Sequence, residues 1–186
     1  MTSSRPVLTI RSDRYEALIR ELARRGGGVR ESGAFLLTPL DATTQRGPRP
    51  ITGIAYYDDL DPDCLTGGIT FSAIGYSVLN QRCRRDGLQV VGDIHTHPGT
   101  LVRQSRIDRG NPMIAIPGHV AIIAPRFAQG VISPVDLGVH VFTGAGNWTS
   151  SYGHAVNDVL SIEPVRNGSF SPIRIIRRLF SKGHRR

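Results

Sequence analysis

The feature that most constrains this chain is a short strand-like run, residues 88–94, that ends in His95-Thr96-His97-Pro98. In a strand, residues two apart project from the same face, so both imidazoles can reach one point. After six intervening residues Pro98 is followed by Ser105, and Asp108 comes three positions later. If that segment opens a helix, positions three apart share a face, and the hydroxyl and the carboxylate point the same way. Two imidazoles and a carboxylate form a three-ligand zinc set whose fourth position is open to water, as a catalytic site requires. Zinc lowers the pKa of such a water from about 15.7 to roughly 7. His95, His97 and Asp108 are therefore read as ligands of one zinc ion per chain.

Hydrolysis at such a site also needs a general base that can pass a proton to the leaving amine. The glutamates are Glu16, Glu21, Glu31 and Glu163. Glu16 and Glu21 fall in an amphipathic helical stretch, and Glu163 opens the C-terminal tail. Glu31 heads the apolar run 31–37, where a core strand can deliver it into a pocket. A lone H-x-H motif is weak evidence, since two histidines on a strand often do no more than fill a polar patch. The ordered set of Glu31, His95, His97, Ser105 and Asp108 is far more specific, because every residue type that the chemistry needs is present.

With these residues in place, the sequence resembles the JAB/MPN family of zinc metallopeptidases and its JAMM motif, over roughly residues 7–142. Thr96 stands where many members have serine. The resemblance implies an α+β fold, a curved mixed β-sheet flanked by helices, of the cytidine-deaminase-like kind. It implies cleavage of a peptide or isopeptide bond after the C-terminus of a ubiquitin-like protein. It implies that Glu31 is the general acid/base, that Ser105 stabilises the oxyanion, and that His95, His97 and Asp108 are the metal ligands. Ubiquitin-like activating or conjugating enzymes are the further partners it suggests. Two alternatives stay open: a JAMM-type hydrolase of another substrate (a sulfur-carrier adduct or a cell-wall-type peptide), and a non-enzymatic scaffold that docks through its basic tail.

Composition bounds these readings. At 186 residues the chain is expected to form one domain, 1–160, with a basic and flexible tail, 161–186. Most of the net charge of +8 lies in that tail, where six arginines and Lys182 face a single acid, Glu163. The body is close to neutral, so nucleic acid is not the expected partner. No apolar stretch approaches the length of a membrane span or a signal segment, which points to the cytoplasm. Cys64 and Cys83 lack metal or redox spacing and are read as free thiols. Arginine outnumbers lysine twenty-two to one. Codon bias is the simpler source of that excess.

Taken in order, the periodicity predicts a strand at 7–10 and a helix capped by Ser12 or Asp13, ended by Gly26-Gly27-Gly28. Strands at 31–37 and 51–57 should pair as a hairpin around a loop, 40–50. The acidic run 58–63 is rejected as a calcium loop, since Cys64 and Thr70 stand where glycine and a bidentate glutamate are needed. It is read as a solvated loop that contacts the partner. A short strand at 68–71, a helix capped by Ser72 and ended by Gly87, and strands at 120–124 and 135–142 complete the body. His119 and His140 are read as ordinary surface or core histidines. The G-x-G at 144–146 is too weak for a nucleotide site. Residues 173–180 carry a basic amphipathic helical pattern.

Overall fold

A computed structural model describes residues 7–43, 47–66 and 68–165. The chain builds strand β1 (Leu8–Arg11), helix α1 (Ser12–Gly26), β2 (Gly33–Pro39), β3 (Arg49–Pro50), β4 (Gly53–Tyr56), the short α2 (Tyr57–Leu60) and α3 (Ala73–Asp86). There follow β5 (Leu88–Thr96), α4 (Arg106–Gly110), β6 (Val120–Ala124), β7 (Gly138–Gly144), β8 (Asn147–Tyr152) and β9 (Leu160–Glu163). The larger sheet has the order β4-β2-β5-β6-β7-β8, antiparallel except for the parallel pair β5–β6. A second sheet, β3-β1-β9, is parallel throughout. The expected α+β class, a mixed sheet flanked by helices, is what forms, and the sheet is not closed.

Alternation along β2 divides the core. Ala34 and Leu36 face one way, into a cluster with Leu18, Ile19 and Leu22 of α1. Phe35 and Leu37 face the other way, into a second cluster with Tyr57, Leu60 and Leu79, so α3 covers that side. The predicted hairpin is present, with Ala34 opposite Tyr56 and Leu37 opposite Gly53. Both helix stops work as expected: Gly27 and Gly87 take left-handed backbone at φ 60° and 65°. Ser72 caps α3 by accepting from the Gly75 N–H at 3.2 Å.

Several expectations need correction. Arg11, not Ser12 or Asp13, precedes α1, without a side-chain cap. The Asp13 carboxylate is held by Arg11 and accepts from the Arg14 N–H. Only a single bridge, Leu65 to Ile69, forms where a strand at 68–71 was expected. Asp58 and Asp59 lie in α2 rather than in a loop, and both bind the guanidinium of Arg25, which Glu21 also holds at 2.8 Å and which lies 4.1 Å over the Tyr56 ring. The run 144–146 is the β7–β8 turn, with Ala145 itself at positive φ. Residues 161–163, assigned above to the tail, complete β9 against β1. The amphipathic pattern at 173–180 and Lys182 lie outside the described residues. Among the described residues no helix is long and apolar enough to cross a membrane.

Candidate metal centre

The central strand β5 delivers its histidines by a change of phase. Leu88 and Val90 pack toward the α3 side. Strict alternation would put Ile94 on that face and bury His95 among the α1-side residues. The ladder with β2 prevents this, because Leu37 pairs with Val90 but Leu36 pairs with Gly92, leaving Val91 as an inserted residue. Val91 turns into the α1-side core, and the strand beyond it is rephased. Asp93 and His95 now line a cavity shared with Tyr57, Phe71 and Tyr76.

The His95 and His97 Nε2 atoms stand 3.3 Å apart. Asp108 brings one oxygen to 3.8 Å from His95 Nε2 and the other to 3.4 Å from His97 Nε2. The three side chains offer ligand atoms that all lie within 4.8 Å of one another, and could hold a metal ion. The donor chemistry fits a divalent ion. Two ring nitrogens face each other beside a carboxylate, and such a pair needs a shared proton or a cation between them. The tautomers agree as well. His97 Nδ1 lies 3.1 Å from the Leu101 carbonyl, which can only accept, so Nδ1 carries the hydrogen and Nε2 keeps its lone pair. Burial lowers the His97 pKa, but Asp108 and the Leu101 carbonyl more than reverse this, and the net shift is upward. Burial raises Asp108, and the two imidazoles with Ser105 overcome it and hold the carboxyl far below the usual range.

Beneath His95 lies a buried polar layer. Asp93, 1% exposed, accepts from His119 Nε2 at 2.6 Å and from the Tyr57 hydroxyl at 3.1 Å. Its second oxygen is 3.7 Å from His95 Nδ1. Burial pushes this carboxyl up, but the imidazoles of His119 and His95 outweigh that and bring it to about 2. A charged carboxylate thus sits behind the deeper ligand, the arrangement that fixes a metal-binding histidine's tautomer and orientation.

Glu31 reaches the same cavity from just outside β2, which starts at Gly33 rather than at residue 31. Its neighbour Ser32 ties it there. The Ser32 N–H donates to Thr96 Oγ1 at 3.0 Å, the Thr96 N–H donates to the Ser32 carbonyl at 2.9 Å, and the Ser32 hydroxyl donates to the Leu22 carbonyl at 2.8 Å. The hydroxyl between the two histidines therefore anchors the segment that carries Glu31. Gly33 lies opposite His95, and a Cβ there would strike the Tyr57 ring and the Ile94 carbonyl. Burial raises the Glu31 carboxyl above its ordinary range, opposed by His95 and His97 and reinforced by Asp108.

The remaining wall comes from α4. Ser105 caps it by accepting from the Asp108 N–H at 3.1 Å, while Asp108 accepts from the Ser105 N–H at 2.7 Å. This reciprocal capping box turns both side chains toward the histidines. The loop before it is strapped down by the buried His140, whose Nε2 donates to the Val102 carbonyl at 3.1 Å. A Cβ at Gly138 would collide with that same carbonyl. On the other side, Arg126, Phe127 and Ala128 run in left-handed backbone at φ 53°, 51° and 58°. The Phe127 N–H donates to the His97 carbonyl at 2.8 Å. Consecutive non-glycine residues at positive φ cost about 1–2 kcal/mol each, and such strain gathers at functional sites.

All five residues singled out in the sequence line one cavity of about 760 Å³. Its opposite wall is apolar, formed by Ile69, Phe71, Tyr76, Met113 and Trp148. The sequence pattern missed Asp93 and the supporting roles of His119 and His140. The acid two residues before His95, on the same strand face, was the available signal.

No family model matches the chain. Among solved structures, that of a Desulfitobacterium hafniense protein has a TM-score of 0.57 at 17% identity, covering 86% of this chain and 97% of that one. A Salinibacter ruber protein gives 0.56 at 18% identity, covering 85% and 94%. At that identity the likeness establishes the fold alone.

Proposed function

We propose that this protein is a zinc-dependent peptidase or isopeptidase. The observation that carries the reading is the meeting of His95, His97 and Asp108 with Glu31 and Ser105 in one cavity. His95, His97 and Asp108 would hold the ion. Zinc supplies a Lewis acid that polarises a carbonyl and makes water acidic near neutral pH. Glu31 accepts the proton of the attacking water and returns it to the departing amine. Its raised pKa suits a group that must both take and give a proton. Ser105 lines the same cavity, and its hydroxyl would turn from the Asp108 carboxylate to donate to the oxygen that gains charge. One such donor is typically worth about 3 kcal/mol. The apolar wall around Phe71, Met113 and Trp148 shields the reacting bond from bulk water.

A ubiquitin-like protein, as a precursor or joined to a lysine, is the proposed substrate, and the JAMM resemblance of these residues is what supports it. The test pairs elemental analysis with turnover on ubiquitin-like fusions. The wild type should carry about one zinc per chain. Glu31→Gln should keep the zinc and lose roughly 10²–10⁴-fold in turnover. A protein that takes up no zinc on reconstitution, or a variant that stays fully active, overturns the assignment.

A further inference from the structure

We infer that the peptide cleaved here carries carboxylates beside the scissile bond, and that Arg103, Arg106 and Arg109 bind them. This rests on the peptidase reading and adds the substrate's local chemistry. Arginine is abundant in this chain, so what informs is which arginines are satisfied. Among the described residues, Arg11, Arg20, Arg24, Arg25, Arg82 and Arg85 pair with acids. Arg14, Arg30, Arg49 and Arg126 donate to backbone carbonyls. Those left with neither are Arg84, Arg103, Arg106 and Arg109. The last three fall in the short segment that also carries Ser105 and Asp108. Every Asp and Glu side chain lies within the described residues, and among these none pairs with Arg103, Arg106 or Arg109. Between positions 94 and 135 the only acid is Asp108, and it is turned inward to the histidines.

The collar is also built like a contact surface. Leu101 and Ile107, interleaved with the arginines, are 74% and 71% exposed. Arg106 and Arg109 line a shallow depression with Phe142, and it shares Pro112 with the metal cavity. Trp148, in the cavity wall, donates from Nε1 to the Arg109 carbonyl at 3.1 Å. Arginine, aromatic and aliphatic groups around an apolar pocket are the composition of a binding surface. Guanidinium forks match carboxylates, and clustered charge of one sign steers the complementary partner. A tail rich in Asp or Glu threads toward Glu31 past this collar; a basic tail is repelled by it.

The proposal is tested by binding, so that it does not depend on turnover. Zinc-loaded Glu31→Gln protein is titrated with end-blocked, labelled hexapeptides of Gly and Asp, and with Gly and Lys counterparts. The Asp peptide should bind about tenfold or more tighter, as three exposed charge pairs allow. The triple charge reversal Arg103→Glu, Arg106→Glu, Arg109→Glu should invert the preference while zinc content stays at one per chain. A Gly peptide with a free C-terminal carboxylate, run beside them, separates a terminal carboxylate from side-chain ones, and tight binding of either supports the collar. Equal affinity for Asp and Lys peptides overturns the proposal, as does an order that the reversal leaves unchanged. A single-stranded oligonucleotide that displaces the Asp peptide at lower concentration than unlabelled Asp peptide does overturns it in favour of nucleic acid. Absence of zinc would sink the peptidase reading, while the Asp-to-Lys ratio still decides the collar.

Discussion

The two halves of the candidate metal centre are built in opposite ways. His95 sits in β5, between two neighbouring strands, over a buried carboxylate that is itself held by His119 and Tyr57. Asp108 sits on a helix of five residues, none of them buried. Its position depends on the reciprocal bonds with Ser105 and on the Trp148 bond to the Arg109 carbonyl. The strand half is thus fixed by the fold, whereas the helix half is fixed by local polar bonds. A centre made this way keeps its deep ligand in place without metal and can adjust its outer ligand around a substrate.

The largest expected effect is on metal content. His95→Ala and Asp108→Ala should each lose zinc by elemental analysis, since each removes one of three ligands. They should differ in the metal-free protein. The first removes a buried ring and one of the two imidazoles that face Asp93, so the apo melting point should fall. The second touches no core and should leave it within a degree or two. Equal apo melting losses would erase the contrast between the halves.

Next comes the layer behind His95. Asp93→Asn keeps the shape but removes the charge that faces the imidazole. Zinc affinity, measured by chelator competition, should drop about 10–100-fold, the usual cost of losing such a support. Hydrogen bonds to a charged group are worth about 1.5–3 kcal/mol, and His119 and Tyr57 both bond to this carboxylate, so the melting point should fall too. Unchanged affinity would mean that the fold alone orients His95.

Much of this centre was legible beforehand, and the reason is local. The spacing of His95 and His97, and of Ser105 and Asp108, is fixed by strand and helix periods that any sequence displays. Glu31 came by elimination among four glutamates, and the cavity contains it. What was not legible is long-range. Nothing in residues 88–94 announces that Val91 is an insertion, because a bulge is defined only by the partner strand. The residues that support the site, His119 and His140, come from β6 and β7 neighbours that local spacing cannot pair with β5 or with the 99–104 loop. Strand β9 escaped for the same reason: it pairs with β1, some 150 positions away.

The smallest effect separates the two jobs of Ser105. Its oxygen caps α4, and its hydrogen is proposed to serve the reaction. Ser105→Ala removes both. Loss of an N-cap costs about 1 kcal/mol locally, and because α4 buries nothing, global melting should barely move. Zinc affinity should fall only several-fold as Asp108 loses its preset position, and turnover by about 10²-fold. Ser105→Gly discriminates, because glycine at an N-cap costs only a few tenths of a kcal/mol yet offers no donor. If that variant binds zinc like the wild type and turns over as slowly as Ser105→Ala, the hydroxyl acts on the substrate. If turnover returns together with zinc affinity, Ser105 is only the cap that holds Asp108, and the helix half of the centre contributes a ligand and nothing more.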